Sequence, residues 1–260
     1  MTTISMRHRI DTLLTGRAAP VTLPDGIPGV AGALTGIAKQ PSRHGLWLRP
    51  DGLHGDEQGD RVYHGGPEKA LHHYAFEHYA AWRARFPGAA VLAQAGAFGE
   101  NVSTTGMTER DVCIGDVFRC GDVLLQVSQA RQPCWKLNVR LRDADAARTV
   151  QRSGHTGWYY RVLRAGILEP QAELVLVDRT QPEWPLARLL AALYDVERLT
   201  DGDAESDQFA DDLARLRAEW LHAAALPELT QGWRDTFLRR VAHNAVEDWT
   251  MRLTGVRPAV

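Results

Sequence analysis

Cysteine, lysine and long apolar runs are all scarce in this chain of 260 residues. Its three cysteines, Cys113, Cys120 and Cys134, are an odd and sparse set, which excludes a disulfide scaffold and points to a reducing, cytoplasmic setting. No apolar run approaches the length of a bilayer span, and Met1 to Ile10 carries Arg7, His8 and Arg9 with no apolar run behind them. Neither a transmembrane helix nor a secretory signal is expected. Of 30 cationic residues only Lys39, Lys69 and Lys136 are lysines, so arginine supplies the ordinary surface charge. Two of these lysines fall in segments that stand out for other reasons. A dinucleotide-binding glycine fingerprint and a cysteine cluster are missing too, so a redox reaction here would draw its electrons from a separate reductase.

What charge there is lies unevenly. Residues 181 to 260 hold 9 Arg against 14 acidic residues, net −5, which leaves the first 180 residues at +3. That mild excess suits a phosphate-bearing small molecule and is too weak for a nucleic-acid footprint. Within the cationic part, Cys134 sits in Ser128-Gln129-Ala130-Arg131-Gln132-Pro133-Cys134-Trp135-Lys136-Leu137. Arg131 and Lys136 favour its thiolate, which is the nucleophilic and metal-binding form. Pro133 restricts the backbone, so the sulfur is expected on a rigid turn at a strand end. A buried cysteine acting as a small hydrophobe competes with this reading.

A second segment, Gly55 to Leu71, packs acidic, imidazole and ammonium groups around glycines. Gly65-Gly66-Pro67 predicts a sharp turn whose bare backbone approaches a ligand, with Lys69 close behind to meet a phosphate. His64 can donate a proton or orient a thiolate, and Glu57 can in turn orient His64. His72, His73 and His78 resemble a metal cluster, but His72 and His73 alternate faces on a strand and no zinc site is expected. A third segment, Phe98-Gly99-Glu100-Asn101, offers an amide that both donates and accepts.

From Gly29 to Val177 the chain runs in short β-prone stretches: Leu34 to Ala38, Val117 to Cys120, Val123 to Ser128, Trp158 to Leu163 and Leu174 to Val177. These predict a barrel or sandwich-like sheet, with a tight hairpin at Cys120-Gly121-Asp122. Helices are predicted over Phe76 to Phe86, with Tyr79, Trp82 and Phe86 on one face, and over Leu137 to Val150. After Asp178 the strand signal stops. Pro185 to Leu193, Gln208 to Trp220 and Pro227 to Arg240 predict three amphipathic helices that pack on the sheet or on a second copy of the chain, as in a homodimer. The acidic stretch Asp201 to Asp207 reads as a solvated connection.

Taken together, Gly55 to Lys69, Phe98-Gly99-Glu100-Asn101, Gly115-Asp116 and Ser128 to Leu137 resemble the MOSC-domain family, and within it the YiiM-like branch. The likeness covers roughly residues 28 to 255. It implies a mainly β (α+β) fold: an N-terminal extension over 1–27, a MOSC-type β-barrel over 28–179 and a C-terminal three-helix domain over 180–260. It also implies the molybdenum cofactor (molybdopterin), with Cys134 as metal ligand and a catalytic grouping of Glu57, His64 and Cys134. The expected cofactor-binding residues are Gly65, Gly66, Lys69, Asn101, Ser128, Gln129, Arg131 and Lys136. The implied activity is reduction of N-hydroxylated compounds, such as hydroxylaminopurine base analogues, in a detoxifying role with an electron-donating flavoprotein reductase as partner. A soft thiolate suits molybdenum, and cations with backbone donors suit a phosphorylated pterin. Two other classes stay open at this point: a metal-free hydrolase or transferase with Cys134 as nucleophile and His64 as base, and a sulfur-carrier or binding module. The C-terminal tail is expected to shape the mouth of the site without touching the cofactor.

Overall fold

The computed structural model describes residues 6–60, 63–195 and 207–257. Its largest element is a nine-stranded sheet built from β1 (Arg7–Arg9), β2 (Thr12–Thr15), β3 (Gln40–Pro41), β4 (Leu71–Ala75), β5 (Val102–Thr104), β6 (Val117–Cys120), β7 (Val123–Ala130), β8 (Trp158–Arg164) and β9 (Glu173–Asp178). The order is β1-β9-β6-β7-β8-β4-β5-β2-β3. Neighbours are antiparallel except β4 and β5, whose parallel pairing needs a crossover. The helices are α1 (His78–Arg85), which lies in that crossover, α2 (Lys136–Leu141), α3 (Ala146–Ser153), α4 (Leu186–Tyr194), α5 (Asp207–Ala224), α6 (Gln231–His243) and α7 (Thr250–Thr254).

The pairing does not close into the expected barrel; β1 and β3 are left as edges. The sheet is nevertheless rolled. β1 and β2 stand seven positions apart, about 34 Å across a flat sheet at about 4.8 Å per strand. Only Ile10 and Asp11 separate them along the chain, a reach of about 11 Å. One extended segment therefore ties both flanks together: the Ile10 N–H donates to the Ala172 carbonyl and the Asp11 N–H to the Ser103 carbonyl, each at 2.9 Å. Residues 7–15, expected in an N-terminal extension, are thus strands of the sheet itself. Of the strand expected over Leu34 to Ala38, only Leu34–Thr35 is formed.

The hairpin at Gly121 is present as expected, with Cys120 paired to Val123 and Gly121 at φ 58°. The single helix expected over Leu137 to Val150 is instead two. Arg142 adopts the left-handed conformation at φ 55° and stops α2, and the Asn138 side-chain oxygen accepts from the Ala147 N–H at 2.7 Å, seating the start of α3.

Phe118, Val127, Trp158 and Tyr160 of the sheet share one hydrophobic cluster with Leu186, Leu189, Trp220 and Phe237 of the C-terminal helices. Four helices, α4 to α7, are described in this region where three are expected; α5 packs on α4 and α6, α4 also packs on β7, and α7 packs on α3. The stretch Asp201 to Asp207 lies outside the described residues except for its last position. A second cluster joins Tyr74, Tyr79, Trp82 and Phe98 to Leu137, Val150 and Leu253. The site lies beside this second cluster, because β4 sends alternate side chains two ways. Leu71 and His73 enter the first cluster; His72 and Tyr74 face the other side.

Candidate active site

β7 carries the chain to the thiol. Its ladder with β8 is continued by the Arg131 N–H, which donates to the Gly157 carbonyl at 2.9 Å, and the chain then turns at Pro133. Cys134 follows, and its carbonyl accepts from the Leu137 N–H at 2.9 Å as α2 begins. The sulfur is buried and lies 3.5 Å from His64 Nε2. Burial by itself would raise the thiol pKa. The His64 hydrogen bond and charge, the Arg131 charge and the Lys136 backbone N–H outweigh it and bring Cys134 down to about 6. Burial pushes Cys113 and Cys120 each up to about 11; at Cys113 the Asp116 and Glu183 charges add to it against the lowering charge of Arg179. Cys134 is the thiol that ionises at neutral pH.

His64 arrives on a loop with its own supports. Its N–H donates to the Asp60 carbonyl at 2.9 Å, and Gly66 makes the next turn at φ 90°, a conformation that favours glycine. Pro67–Lys69 then forms one 3₁₀ turn. Lys69 Nζ returns to the Tyr63 carbonyl at 2.7 Å, and burial lowers its pKa against the raising charge of Asp60. Lys136 Nζ donates to the Leu34 carbonyl at 2.8 Å.

Two chambers meet at this pair. The inner one, about 70 Å³, includes Lys39, Asp56, His72 and Asn101 in its wall beside the apolar Ile37 and Phe98. The outer one, about 730 Å³, carries Tyr63, Trp135, Trp249 and Met251. Gly59, His64, Lys69, Cys134, Lys136 and Tyr159 line both. All three lysines of the chain therefore border the inner chamber. Three polar atoms near the thiol are buried with no hydrogen-bond partner among the described residues: His64 Nδ1, His72 Nε2 and one terminal nitrogen of Arg131. Such atoms lose free energy unless a ligand or water meets them.

Several expected residues stand elsewhere or act differently. Glu57 does not bond His64; its carboxylate accepts from the Ala18 N–H at 2.9 Å and from Arg17 at 3.3 Å. Glu57 and Asp56 both line the inner chamber, but the buried carboxylate is Asp56, which accepts from Lys39 Nζ, from the Gly16 N–H at 2.8 Å and from Asn101 Nδ2 at 3.0 Å. Asn101 is fully engaged, since its oxygen also accepts from the His72 N–H and its nitrogen reaches the Leu14 carbonyl. The single Ser128 hydroxyl proton is taken up within the protein, with the Glu68 carbonyl at 2.6 Å and the Tyr159 carbonyl at 3.1 Å as its acceptors, and Ser128 lines neither chamber. Gln129 borders the outer chamber and accepts from Thr230 Oγ1. Gly65 and Gly66 lie on the loop carrying His64 but outside both chamber walls.

Sequence reasoning missed Asp56, Lys39, His72 and Tyr159. The rarity of lysine, which drew attention to Lys69 and Lys136, was a signal that could have found Lys39 too. His72 is held neutral, chiefly by burial and then by the Arg131 charge, and its ring lies 4.9 Å from that of Tyr159. Burial likewise raises the Tyr159 phenol. Lys39 is lowered by burial despite the opposing influence of Asp56.

The donor set fits a metal that brings its own ligands. Among the described residues no three of His, Cys, Asp or Glu gather to hold a bare ion. One soft thiolate flanked by cations and unpartnered donors is what a pterin dithiolene centre with an anionic tail requires of a protein.

The MOSC domain model matches residues 60–175. Protein YiiM of Escherichia coli is 36% identical over 96% of this chain and 100% of its own length. The crystal structure of YiiM from Escherichia coli superposes with a TM-score of 0.70 at 32% identity, covering 95% of this chain and 98% of that one. A Gibberella moniliformis protein named Reductase is 41% identical over 57% of this chain, a match that spans 26% of that protein.

Proposed function

The chain belongs to the MOSC-domain family, in its YiiM-like branch, and from that membership we propose that it is a molybdenum cofactor-dependent reductase of N-hydroxylated compounds. The observation that carries this reading is Cys134, a buried thiol brought down to about 6 and set 3.5 Å from an imidazole between two chambers. Cys134 would ligate the metal, and Lys69, Lys136 and Arg131 would meet the anionic end of the pterin. When bound, the cofactor supplies the two electrons of N–O cleavage. With two protons, an N-hydroxylamine then becomes an amine and water.

The protein's own part is positioning and proton delivery. His64 Nε2 lies 3.5 Å from the sulfur, and a proton carried there would be placed to reach the departing hydroxyl. The outer chamber, with Tyr63, Trp135 and Trp249 in its wall, would suit a planar heteroaromatic substrate such as a hydroxylaminopurine. The electrons would come from a separate flavoprotein. The relative named Reductase supports electron chemistry on this scaffold.

The same thiol and imidazole would also serve a metal-free cysteine hydrolase, so the test has to separate the two. Protein produced in a host that makes the cofactor should carry stoichiometric molybdenum and reduce an N-hydroxylamine with a chemical electron donor. Cys134→Ala should lose both. Absence of molybdenum, together with iodoacetamide-sensitive ester or thioester cleavage, would replace this reading with the hydrolase.

A further inference from the structure

The turn that presents Cys134 is gripped on both sides by one residue of the C-terminal helix α7. Ahead of the cysteine, the Arg252 guanidinium donates to the Pro133 carbonyl. Behind it, the Trp135 N–H donates to the Arg252 carbonyl at 2.8 Å. Arg252 is itself fixed: its second terminal nitrogen donates to Gln151 Oε1 on α3 at 2.7 Å, and its guanidinium lies 6.0 Å from the Tyr194 ring and 5.8 Å from the Trp249 ring. The next residue, Leu253, is buried in the second cluster, and its carbonyl accepts from Asn138 Nδ2 at 2.8 Å. A side chain at Gly255 would come within 2.9 Å of the Trp135 ring, so α7 sits directly against the turn.

A guanidinium presents its donors in a planar fork, which lets one side chain serve the Pro133 carbonyl and Gln151 together; an ammonium is a single point. We propose that Arg252 is a positioning residue for Cys134, holding Pro133–Trp135 so that Sγ stays within reach of His64 and of the Lys136 N–H. This rests on Cys134 being the reactive group of the site, and not on the presence of molybdenum. It also corrects the expectation that the tail only shapes the mouth. The tail touches no reacting atom, yet it sets where the sulfur stands.

The test uses full-length protein prepared without cofactor, in which Cys134 is alkylated by iodoacetamide at fixed neutral pH and the rate is read from the Cys134 peptide by mass spectrometry. Misplacement of a reactive group by a fraction of an ångström is costly, so Arg252→Gln should slow alkylation roughly fivefold or more. Arg252→Lys, which keeps the charge and one donor, should fall between the two. A merely structural role predicts the opposite sign, because Cys134 is buried and a loosened chain would expose it. Rates equal to or above wild type in both variants would overturn the proposal. If Arg252→Gln does not fold, Arg252→Lys decides on the same scale. Failure of wild type to take up molybdenum would sink the reductase reading and leave this rate comparison standing.

Discussion

Asp56→Ala should destabilise the protein by about 4 kcal/mol, through the wall of the inner chamber. The Lys39–Asp56 side chains are 5% and 2% exposed, so removing the carboxylate leaves an ammonium in the interior without its counter-charge. Breaking such a pair from one side costs about 3–5 kcal/mol, whereas replacing both members with apolar groups of similar volume is close to neutral. The Gly16 N–H and Asn101 Nδ2 also lose their acceptor, which keeps the figure from falling to the low end. With a urea m-value of about 3 kcal/mol/M for a chain of this size, the midpoint should drop by more than about 1 M. The assay is urea unfolding followed by fluorescence and circular dichroism with coincident transitions. Lys39→Met alone should cost about as much, and the double variant Lys39→Met/Asp56→Ala should recover most of the loss. Additive losses in the double variant, or single losses below about 1 kcal/mol, would refute the argument that the cost comes from an uncompensated buried charge.

Two further outcomes are expected. Because the folded Cys134 thiol is near 6 and an ordinary thiol near 9, the unfolded chain holds a proton that the folded one has released across that window. Stability of the cofactor-free protein should therefore rise with pH from about 6 to 9, by up to about 4 kcal/mol at about 1.4 kcal/mol per unit, and Cys134→Ala should flatten the curve; parallel curves for the two proteins would count against it. His64→Ala should slow alkylation of Cys134 at neutral pH by about tenfold, the worth of one charge-assisted hydrogen bond, while Glu57→Ala should leave the rate within about twofold. Equal slowing by both would restore Glu57 to the His64 pair.

What the sequence revealed was chemistry carried by a short stretch of chain. The hairpin at Gly121, the proline-fixed cysteine between cations and the histidine ahead of Gly65-Gly66-Pro67 each announce themselves within a few residues. Their meeting in space follows from the fold. What stayed hidden depends on direction and distance. Glu57 and Asp56 are adjacent, but Asp56 turns inward to Lys39 and Glu57 outward to Arg17, and composition alone does not tell which. Asn101 and Ser128 look like ligand-binding groups, yet their hydrogen bonds go to carbonyls and N–H groups that no local pattern marks as needing a partner. β1 pairs Arg7 with Val175, and nothing near Arg7 signals a partner so far along the chain. The break between α2 and α3 turns on one left-handed arginine, a conformation that arginine does not advertise.

The segment that ties the two flanks of the sheet together also fixes an order of events during synthesis. Arg7 leaves the ribosome 168 residues before its partner Val175. At about 5–20 residues per second that is an interval of roughly 8 to 34 s in which β1 has no strand to pair with. Contacts of such sequence separation slow folding, because the loop must close before the contact returns any free energy. The thiol turn is completed later still, since Arg252 follows Val175 in the chain and grips Cys134 only once the C-terminal helix has formed. Until then the nascent chain carries a Cys134 whose turn lacks the two hydrogen bonds that Arg252 supplies.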